Sequence, residues 1–208
     1  MSIKNVSFVG LGVMGYPMAG HLQKNGYNVT VFNRTVSKAK KWVEEYGGKM
    51  GKTPNEACLY AQIVFMCVGR DEDIIEVMEG SNGILSSAKG GLTIVDHTTA
   101  SAEIARTYFT KLQEMNISFL DAPVSGGQAG AENGILSIMI GGEEKDFKVI
   151  KPVLESYGKA IELIGPSGSG QIAKMINQIC IAGLVQGLSE GMASVSYTHL
   201  TLPTILLV

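Results

Sequence analysis

The chain has 208 residues, of which 45% are hydrophobic and 17% charged, a balance that suits one compact α/β domain or one domain with an appendage. Seventeen basic and nineteen acidic side chains give a net charge of −2, so no basic field indicates binding to nucleic acid or to an anionic membrane. Three scattered cysteines, with no C-x-x-C pair and no ligand histidines nearby, indicate neither a disulfide framework nor a metal site. No run reaches the eighteen or so apolar residues that span a bilayer. We therefore expect a soluble cytoplasmic protein whose partners are small molecules or copies of itself.

The first predicted elements are a strand, a glycine turn and a helix. Residues 3–9 are apolar and β-branched enough for a buried strand, and residues 14–25 carry apolar side chains at helical spacing. Between them lies the sequence Gly10-Leu11-Gly12-Val13-Met14-Gly15. This glycine spacing suits a loop that holds the diphosphate of a dinucleotide at a helix N-terminus. An ordinary glycine-rich turn is the alternative, and the flanking strand and helix favour the dinucleotide site.

The second predicted strand, residues 27–32, ends in Asn33-Arg34-Thr35. At about this point of a dinucleotide-binding unit, an acidic side chain bonds the ribose 2′-hydroxyl of NAD, whereas an arginine accommodates the 2′-phosphate of NADP. Asn33 stands where the carboxylate would be and Arg34 follows it, so the sequence predicts NADP(H) in preference to NAD(H). Lys38, one helical turn later, could help. The alternative for both basic residues is simple exposure to solvent.

Strands and helices then alternate along the chain. The pattern predicts helices over residues 36–46, from Thr53, over 71–78 and over 101–115, and strands over 63–68, 92–95 and 117–120. Repeated βα units indicate an α/β fold of the Rossmann type, a doubly wound and mostly parallel sheet with helices on both faces. Residues 135–140 alternate as a strand that is expected to extend the sheet in antiparallel fashion.

Polar residues follow the predicted strands where a doubly wound fold binds ligands. Arg70, after the strand at 63–68, could contact the cofactor or be exposed, and the sequence does not separate the two. Residues 96–99, Asp-His-Thr-Thr, could orient a substrate or cap the next helix. His97 has no evident orienting partner, so a structural role is favoured over acid–base chemistry.

Two further polar segments come later. Ser125-Gly126-Gly127 exposes successive backbone N–H groups that suit a substrate carboxylate, with a plain turn as the alternative. After the glycine-rich segment 165–171, a helix carries Lys174, Asn177 and Gln178 at spacings that place them on one face. A partly buried lysine there could polarise a carbonyl and deliver a proton. A surface lysine beside solvated amides is the alternative.

These motifs together resemble the β-hydroxyacid dehydrogenase family, which includes 3-hydroxyisobutyrate dehydrogenase and 2-hydroxy-3-oxopropionate (tartronate semialdehyde) reductase. The resemblance runs from about residue 3 to residue 193 and rests on the glycine loop at 10–15, Asp121-Ala122-Pro123-Val124-Ser125-Gly126-Gly127, and Gly168-Ser169-Gly170 with Lys174 and Asn177. It implies reversible hydride transfer between nicotinamide and a small 3-hydroxy acid or semialdehyde, without a metal. Imine reductases share the scaffold and typically lack this lysine.

The resemblance also implies roles for individual residues. The loop at 10–15 would bind the diphosphate, Arg34 would meet the 2′-phosphate, and Val68 with Thr98 would lie along the nicotinamide. Ser125, Gly126 and Gly127 would hold the substrate carboxylate. Lys174 would be the catalytic acid or base, and Asn177 with Gln178 would order the site. Gln178 stands where relatives often have a second asparagine, which favours the tartronate semialdehyde reductase side.

The resemblance predicts the domain organisation as well. Residues 1–165 would form the NAD(P)-binding domain and residues 166–193 the start of a long interdomain helix. In the family that helix leads into an all-helical domain that closes the site and builds a homo-oligomer. Residues 194–208 are β-branched, contain a proline and resemble no continuation of the helix, so we interpret them as an atypical and foreign tail of a truncated chain. A non-catalytic dinucleotide-binding module or fragment is the alternative function.

Overall fold

The structure, a computed structural model, describes residues 3–197, and their side chains through residue 195. The chain divides into two units, residues 1–174 and residues 175–208. The predicted foreign tail begins at residue 194. Its first four residues are helical, and residues 198–208 lie outside the described part of the chain.

The strands of the first unit form one sheet. Within residues 3–197 they are β1 (Asn5–Val9), β2 (Asn28–Phe32), β3 (Lys49–Met50), β4 (Ile63–Met66), β5 (Thr93–Asp96), β6 (Ser118–Asp121), β7 (Val124–Ser125), β8 (Leu136–Gly141) and β9 (Gly158–Gly165). Their order across the sheet is β3-β2-β1-β4-β5-β6-β8-β7, and β9 pairs with β8. The pairs from β3 to β6 are parallel, whereas β8 runs antiparallel to β6 and β7. The predicted doubly wound sheet and its antiparallel extension are both confirmed.

Helices connect the strands. They are α1 (Gly15–Lys24), α2 (Val36–Tyr46), α3 (Pro54–Cys58), α4 (Asp71–Glu79), α5 (Ala102–Gln113), α6 (Gly127–Glu132), α7 (Glu144–Leu154) and α8 (Ser169–Tyr197), with a short 3₁₀ helix at Ile84–Ser86. The predicted helix start at Thr53 is confirmed, because the Thr53 hydroxyl accepts the N–H of Glu56 at 3.1 Å. The Glu56 carboxylate accepts the N–H of Lys52 at 2.8 Å and so holds the residue before the cap.

The sheet has an apolar layer on each face. In β4 every side chain is buried, and alternate residues point to opposite faces. Ile63 and Phe65 join the cluster that contains Trp42 of α2, whereas Val64 and Met66 join the other apolar cluster. A strand buried on both faces needs helices on both sides, so β4 requires the three-layer arrangement.

Helix α8 is apolar and largely exposed. Ile181, Leu184, Val185 and Leu188 have exposed fractions of 48%, 73%, 57% and 62%, so they form an exposed apolar patch. By length and composition its segment Ser169–Val195 is also long and apolar enough to cross a membrane. The expectation that no stretch meets that criterion was therefore wrong, since serines, glycines and glutamines in the helix do not outweigh its isoleucines and leucines. The same length and composition suit a helix that packs against further protein, so they do not by themselves indicate a membrane.

Candidate functional site

The glycine loop lies at the carboxyl end of β1 and leads into α1. Gly10 has a φ of +96°, and a Cβ on it would collide with the carbonyl of Cys67, so only glycine makes this turn. A Cβ on Gly15 would meet the Gly10 carbonyl and the Phe8 ring. Because glycine lacks that Cβ, helix α1 can start close to strand β1. Around Gly12, by contrast, nothing among the described residues lies within 4 Å of such a Cβ. That open position is where a diphosphate could approach the backbone.

A cavity of about 550 Å³ adjoins this loop at the carboxyl edge of the sheet. Its lining includes six of the predicted cofactor residues, namely Gly10, Gly12, Asn33, Arg34, Thr35 and Val68. Of the other predicted loop residues, Leu11 is buried, Met14 is half-buried and Val13 is 62% exposed. The structure thus brings the glycine loop and the end of β2 together around one cavity.

Asn33 has a structural task that the sequence did not reveal. Its Oδ1 accepts the N–H of Leu11 at 2.8 Å, and its Nδ2 donates to the carbonyl of Thr35 at 3.1 Å. The side chain therefore ties the glycine loop to the end of β2. Asn33 lines the cavity at the position where a carboxylate would bind the ribose of NAD, and its bonds hold the two segments that border the cavity there.

Arg34 is an exposed cation in the lining of the cavity. Its side chain is 84% exposed, and its Nη1 lies 3.7 Å from Oδ1 of Asp73 in α4. Lys38 also lines the cavity. An exposed guanidinium held only by a long ion pair remains available to a phosphate.

Hydrogen bonds join the segments after β4 and β5 to each other and to helix α8, on the other side of the glycine loop. The Thr98 Oγ1 accepts the N–H of Val68 at 3.1 Å, and the Thr98 N–H donates to Oδ1 of Asp96 at 2.8 Å. The Gln171 side chain donates to the carbonyl of Thr98 at 2.7 Å and accepts the N–H of Ala100 at 3.1 Å. Gln171 thereby attaches the segment after β5 to the first turn of α8.

Asp121, at the end of β6, caps helix α8. Its Oδ1 accepts the N–H of Gly168 at 2.7 Å and its Oδ2 accepts the N–H of Gln171 at 3.0 Å. Burial raises the pKa of Asp121, and hydrogen bonds from backbone N–H groups, first those of Gly168 and Gln171, oppose that rise. In the sequence, Asp121 is the first residue of the motif that ends in Ser125-Gly126-Gly127. In the structure its carboxylate instead fixes where α8 begins.

Lys174 follows one turn after this cap. Its side chain is mostly buried, with 8% of the residue exposed, and burial lowers its pKa. This placement agrees with the partly buried lysine considered from the sequence and not with the surface lysine. Asn177 is half-buried and Gln178 is exposed, and both belong to the unit that begins at residue 175.

The serine and two glycines lie between β7 and α6. Ser125 is half-buried in β7, paired with Ser137 of β8. Gly126 and Gly127 have φ angles of +134° and +62°, and α6 begins at Gly127. The segment is therefore a strand–helix junction with left-handed glycines, a conformation that presents backbone N–H groups.

His97 belongs to the core. Its Nδ1 donates to the carbonyl of Ala122 at 2.6 Å, so its Nε2 is free of hydrogen and accepts the hydroxyl of Tyr157 at 2.8 Å. The ring also stacks on Phe65, with 5.8 Å between the ring centroids. With both nitrogens occupied inside the core, His97 has the structural role favoured from the sequence.

Asp96 and His97 should impose opposite pH dependences on stability. Burial raises the pKa of Asp96 to about 7 and lowers the pKa of His97 to about 4. Between about pH 4 and 6.5 the unfolded state holds the extra proton at His97, so that group adds stability as pH rises. At Asp96 the folded state holds the extra proton, so stability falls as pH rises through the same range and up to about 7.

Replacing Asp96 with asparagine removes only the second effect, because the amide oxygen can still accept the Thr98 N–H. We expect the free energy of unfolding of Asp96→Asn, measured in urea, to rise more steeply from about pH 4.5 to 6.5 than that of the wild type. Parallel profiles for the two proteins would contradict this assignment.

The fold and the cavity define a class of protein. A doubly wound sheet with a glycine loop after its first strand, beside a cavity bordered by the end of the second, is the architecture of a dinucleotide-binding domain. Over residues 5–165 the chain matches the family described as the NAD binding domain of 6-phosphogluconate dehydrogenase, and it belongs to that family.

Similar proteins agree with this assignment. The chain is 57% identical over 187 residues to an uncharacterized oxidoreductase of Shewanella frigidimarina. The aligned region covers 90% of this chain and 64% of that protein. It is 36% identical to the 2-hydroxy-3-oxopropionate reductase of Escherichia coli, over 90% of this chain and 63% of that enzyme. The solved structure of 3-hydroxyisobutyrate dehydrogenase from Mycobacterium tuberculosis, at 28% identity, superposes with a TM-score of 0.90 over 96% of this chain and 67% of that one. The resemblance to β-hydroxyacid dehydrogenases is confirmed, and the chain spans less than two thirds of the two sequence relatives.

Proposed function

We propose that this chain is the cofactor-binding part of an NADP(H)-dependent oxidoreductase that interconverts a small 3-hydroxy acid and a semialdehyde, of the 3-hydroxyisobutyrate or tartronate semialdehyde type. One observation carries the proposal. The glycine loop follows the carboxyl end of β1. Asp121, at the carboxyl end of β6, caps helix α8 about one turn before Lys174. Because these parallel strands end at the same edge of the sheet, cofactor loop and lysine share that edge.

The residues of the chain divide the chemistry between them. A bound nicotinamide would supply or accept the hydride. Lys174 Nζ would give a proton to the substrate oxygen in reduction and take it back in oxidation, and its lowered pKa favours both transfers near neutral pH. The Ser125 hydroxyl and the N–H groups of Gly126 and Gly127 would hold the substrate carboxylate, with Asn177 and Gln178 ordering the site.

Catalysis by this chain alone is a separate question. The apolar side chains of α8 that would pack against further protein are exposed, for example Leu184 at 73%. We propose that without protein packed on these side chains the chain binds NADP(H) but turns over slowly, because closing a site against water speeds the reaction. A non-catalytic binding module is the second candidate, although such a module has no need for a buried lysine. The three free cysteines fit a reducing cytosol, and the complete protein would form a homo-oligomer.

The preference for NADP(H) depends on Arg34. Arg34→Gln should weaken NADPH binding by about 10- to 100-fold, because a charge-assisted contact to the 2′-phosphate is lost. NADH, which has no such phosphate, should bind as before. Isothermal titration of both cofactors measures the two constants. Arg70→Gln is the matched control, since Arg70 pairs with Glu72 at 3.1 Å and should leave both constants unchanged.

The reaction itself is tested by NADPH oxidation against glyoxylate and a panel of small semialdehydes, followed by absorbance. Turnover that prefers NADPH supports the reductase. Tight NADPH binding without turnover supports the binding module. If neither cofactor binds, the proposed function is wrong.

A further inference from the structure

A carboxylate faces Arg34 across the cofactor cavity. Asp73 lines this cavity from the first turn of α4, and its Oδ1 lies 3.7 Å from Arg34 Nη1. Asp73 lies 39 residues after Arg34, so no local pattern in the sequence relates the two. A negative charge beside the cation that is expected to meet a 2′-phosphate bears directly on cofactor selectivity.

Asp73 lies beside the loop that follows β4. A Cβ on Gly69 would collide with Oδ2 of Asp73, so the carboxylate packs directly against the backbone that follows β4. The two other acidic residues of the same helical turn are engaged elsewhere. Asp71 accepts the N–H of Ser101 at 3.0 Å, and Glu72 pairs with Arg70 at 3.1 Å. Of these three carboxylates, Asp73 is the one that lines the cavity.

We propose that Asp73 is a specificity-determining residue that opposes the 2′-phosphate and so limits the preference for NADPH over NADH. The inference rests on the proposed NADP(H) site and adds a second, opposing charge to it. Asp73 acts in two ways, by competing with the phosphate for Arg34 and by repelling the phosphate itself.

The exposures of the two side chains show why the competition can be lost to a phosphate. Arg34 is 84% exposed and Asp73 is 29% exposed, and an ion pair of that kind is weak in water. A phosphate carries more charge and more acceptor oxygens than a carboxylate, so it can displace Asp73 from Arg34. A carboxylate displaced from Arg34 still belongs to the lining of the cavity, so it still repels the phosphate. A ribose 2′-hydroxyl is neutral and experiences no such repulsion.

Asp73→Asn keeps the size of the side chain and removes its charge. We expect NADPH to bind about three- to tenfold more tightly, while the NADH constant changes less than about twofold. The ratio of the two constants, measured by titration calorimetry, therefore rises. The gain should shrink when ionic strength is raised from about 0.05 to about 0.5 M, since the interaction is partly exposed. A general loss of structure would weaken both cofactors and leave the ratio unchanged.

Glu72→Gln is the matched control. It removes one negative charge from the same helical turn, but its side chain pairs with Arg70 and is 72% exposed, so the ratio should stay at the wild-type value. Asp73→Ser provides a second uncharged variant if the asparagine protein folds poorly.

The outcomes separate the inference from the proposed function. A wild type that prefers NADPH, with an unchanged ratio in both Asp73 variants, overturns the role of Asp73 and leaves the proposed function intact. An equal rise in Glu72→Gln also overturns it, because net charge alone would then explain the effect. A wild type that binds neither cofactor overturns the proposed function and this inference together.

Discussion

Replacing Lys174 with alanine should lower NADPH-dependent turnover by about 10²- to 10⁴-fold, the usual contribution of a positioned proton donor. Lys174 is mostly buried in the helix that Asp121 caps, and burial lowers its pKa, so its ammonium can give up a proton at moderate cost. The glycine loop and Arg34 are untouched by the substitution. The dissociation constant of NADPH should therefore stay within about twofold of the wild type.

Two additions make this experiment specific. Lys148→Ala removes a lysine of α7 whose ammonium pairs with Glu144 at 2.7 Å on the surface, and it should leave turnover unchanged. The wild-type rate of carbonyl reduction should also fall as pH rises through the lowered pKa of Lys174, because the reaction needs the protonated lysine. Full turnover in the alanine variant would show that another group or water delivers the proton.

The sheet could be predicted because its signals are local. Residues 63–66 are all apolar, which indicates a strand buried on both faces, and the residues that end β1 and begin α1 are glycines at a characteristic spacing. Helix α2 has the predicted bounds, Val36–Tyr46, since a helical pattern ends there at a glycine with a φ of +82°. Each of these features depends on residues within one turn or strand of one another.

Several elements lacked such a signal. Strand β9 (Gly158–Gly165) was not predicted, because only one of its eight residues is buried and its partner is a strand about twenty residues earlier. Helix α6 (Gly127–Glu132) begins with a glycine that the sequence indicates as a turn. In both segments, contacts made in the folded chain outweighed the secondary structure that the local sequence favours.

The contacts that position the candidate catalytic helix were equally hidden. Asp121 lies 47 residues before Gly168, and Gln171 lies 73 residues after Thr98, so no spacing in the sequence relates them. The resemblance supplied the motif around Asp121 but not the use of its carboxylate. Only the fold, which brings the ends of β5 and β6 beside the start of α8, shows that this aspartate is a helix cap.

The cap leads to the last and largest stability prediction. Asp121→Asn should lower the free energy of unfolding by about 2–3 kcal/mol. The carboxylate accepts one buried N–H on each oxygen, from Gly168 and from Gln171. An asparagine keeps one acceptor and turns an NH₂ group toward the other N–H, so one buried donor loses its partner. Urea unfolding at neutral pH measures the loss.

Asp96→Asn is the matched comparison, since Asp96 is also a buried aspartate at the end of a neighbouring strand. Its Oδ1 accepts the backbone N–H of Thr98, and an amide oxygen can replace that acceptor. With the pKa of Asp96 raised to about 7, its substitution should cost nothing at neutral pH. If Asp121→Asn were as stable as Asp96→Asn, the two N–H groups would have other acceptors and Asp121 would not be what starts the helix. If the Asp121→Asn protein is less stable and also turns over more slowly at unchanged NADPH affinity, then Asp121 both stabilises the fold and positions Lys174.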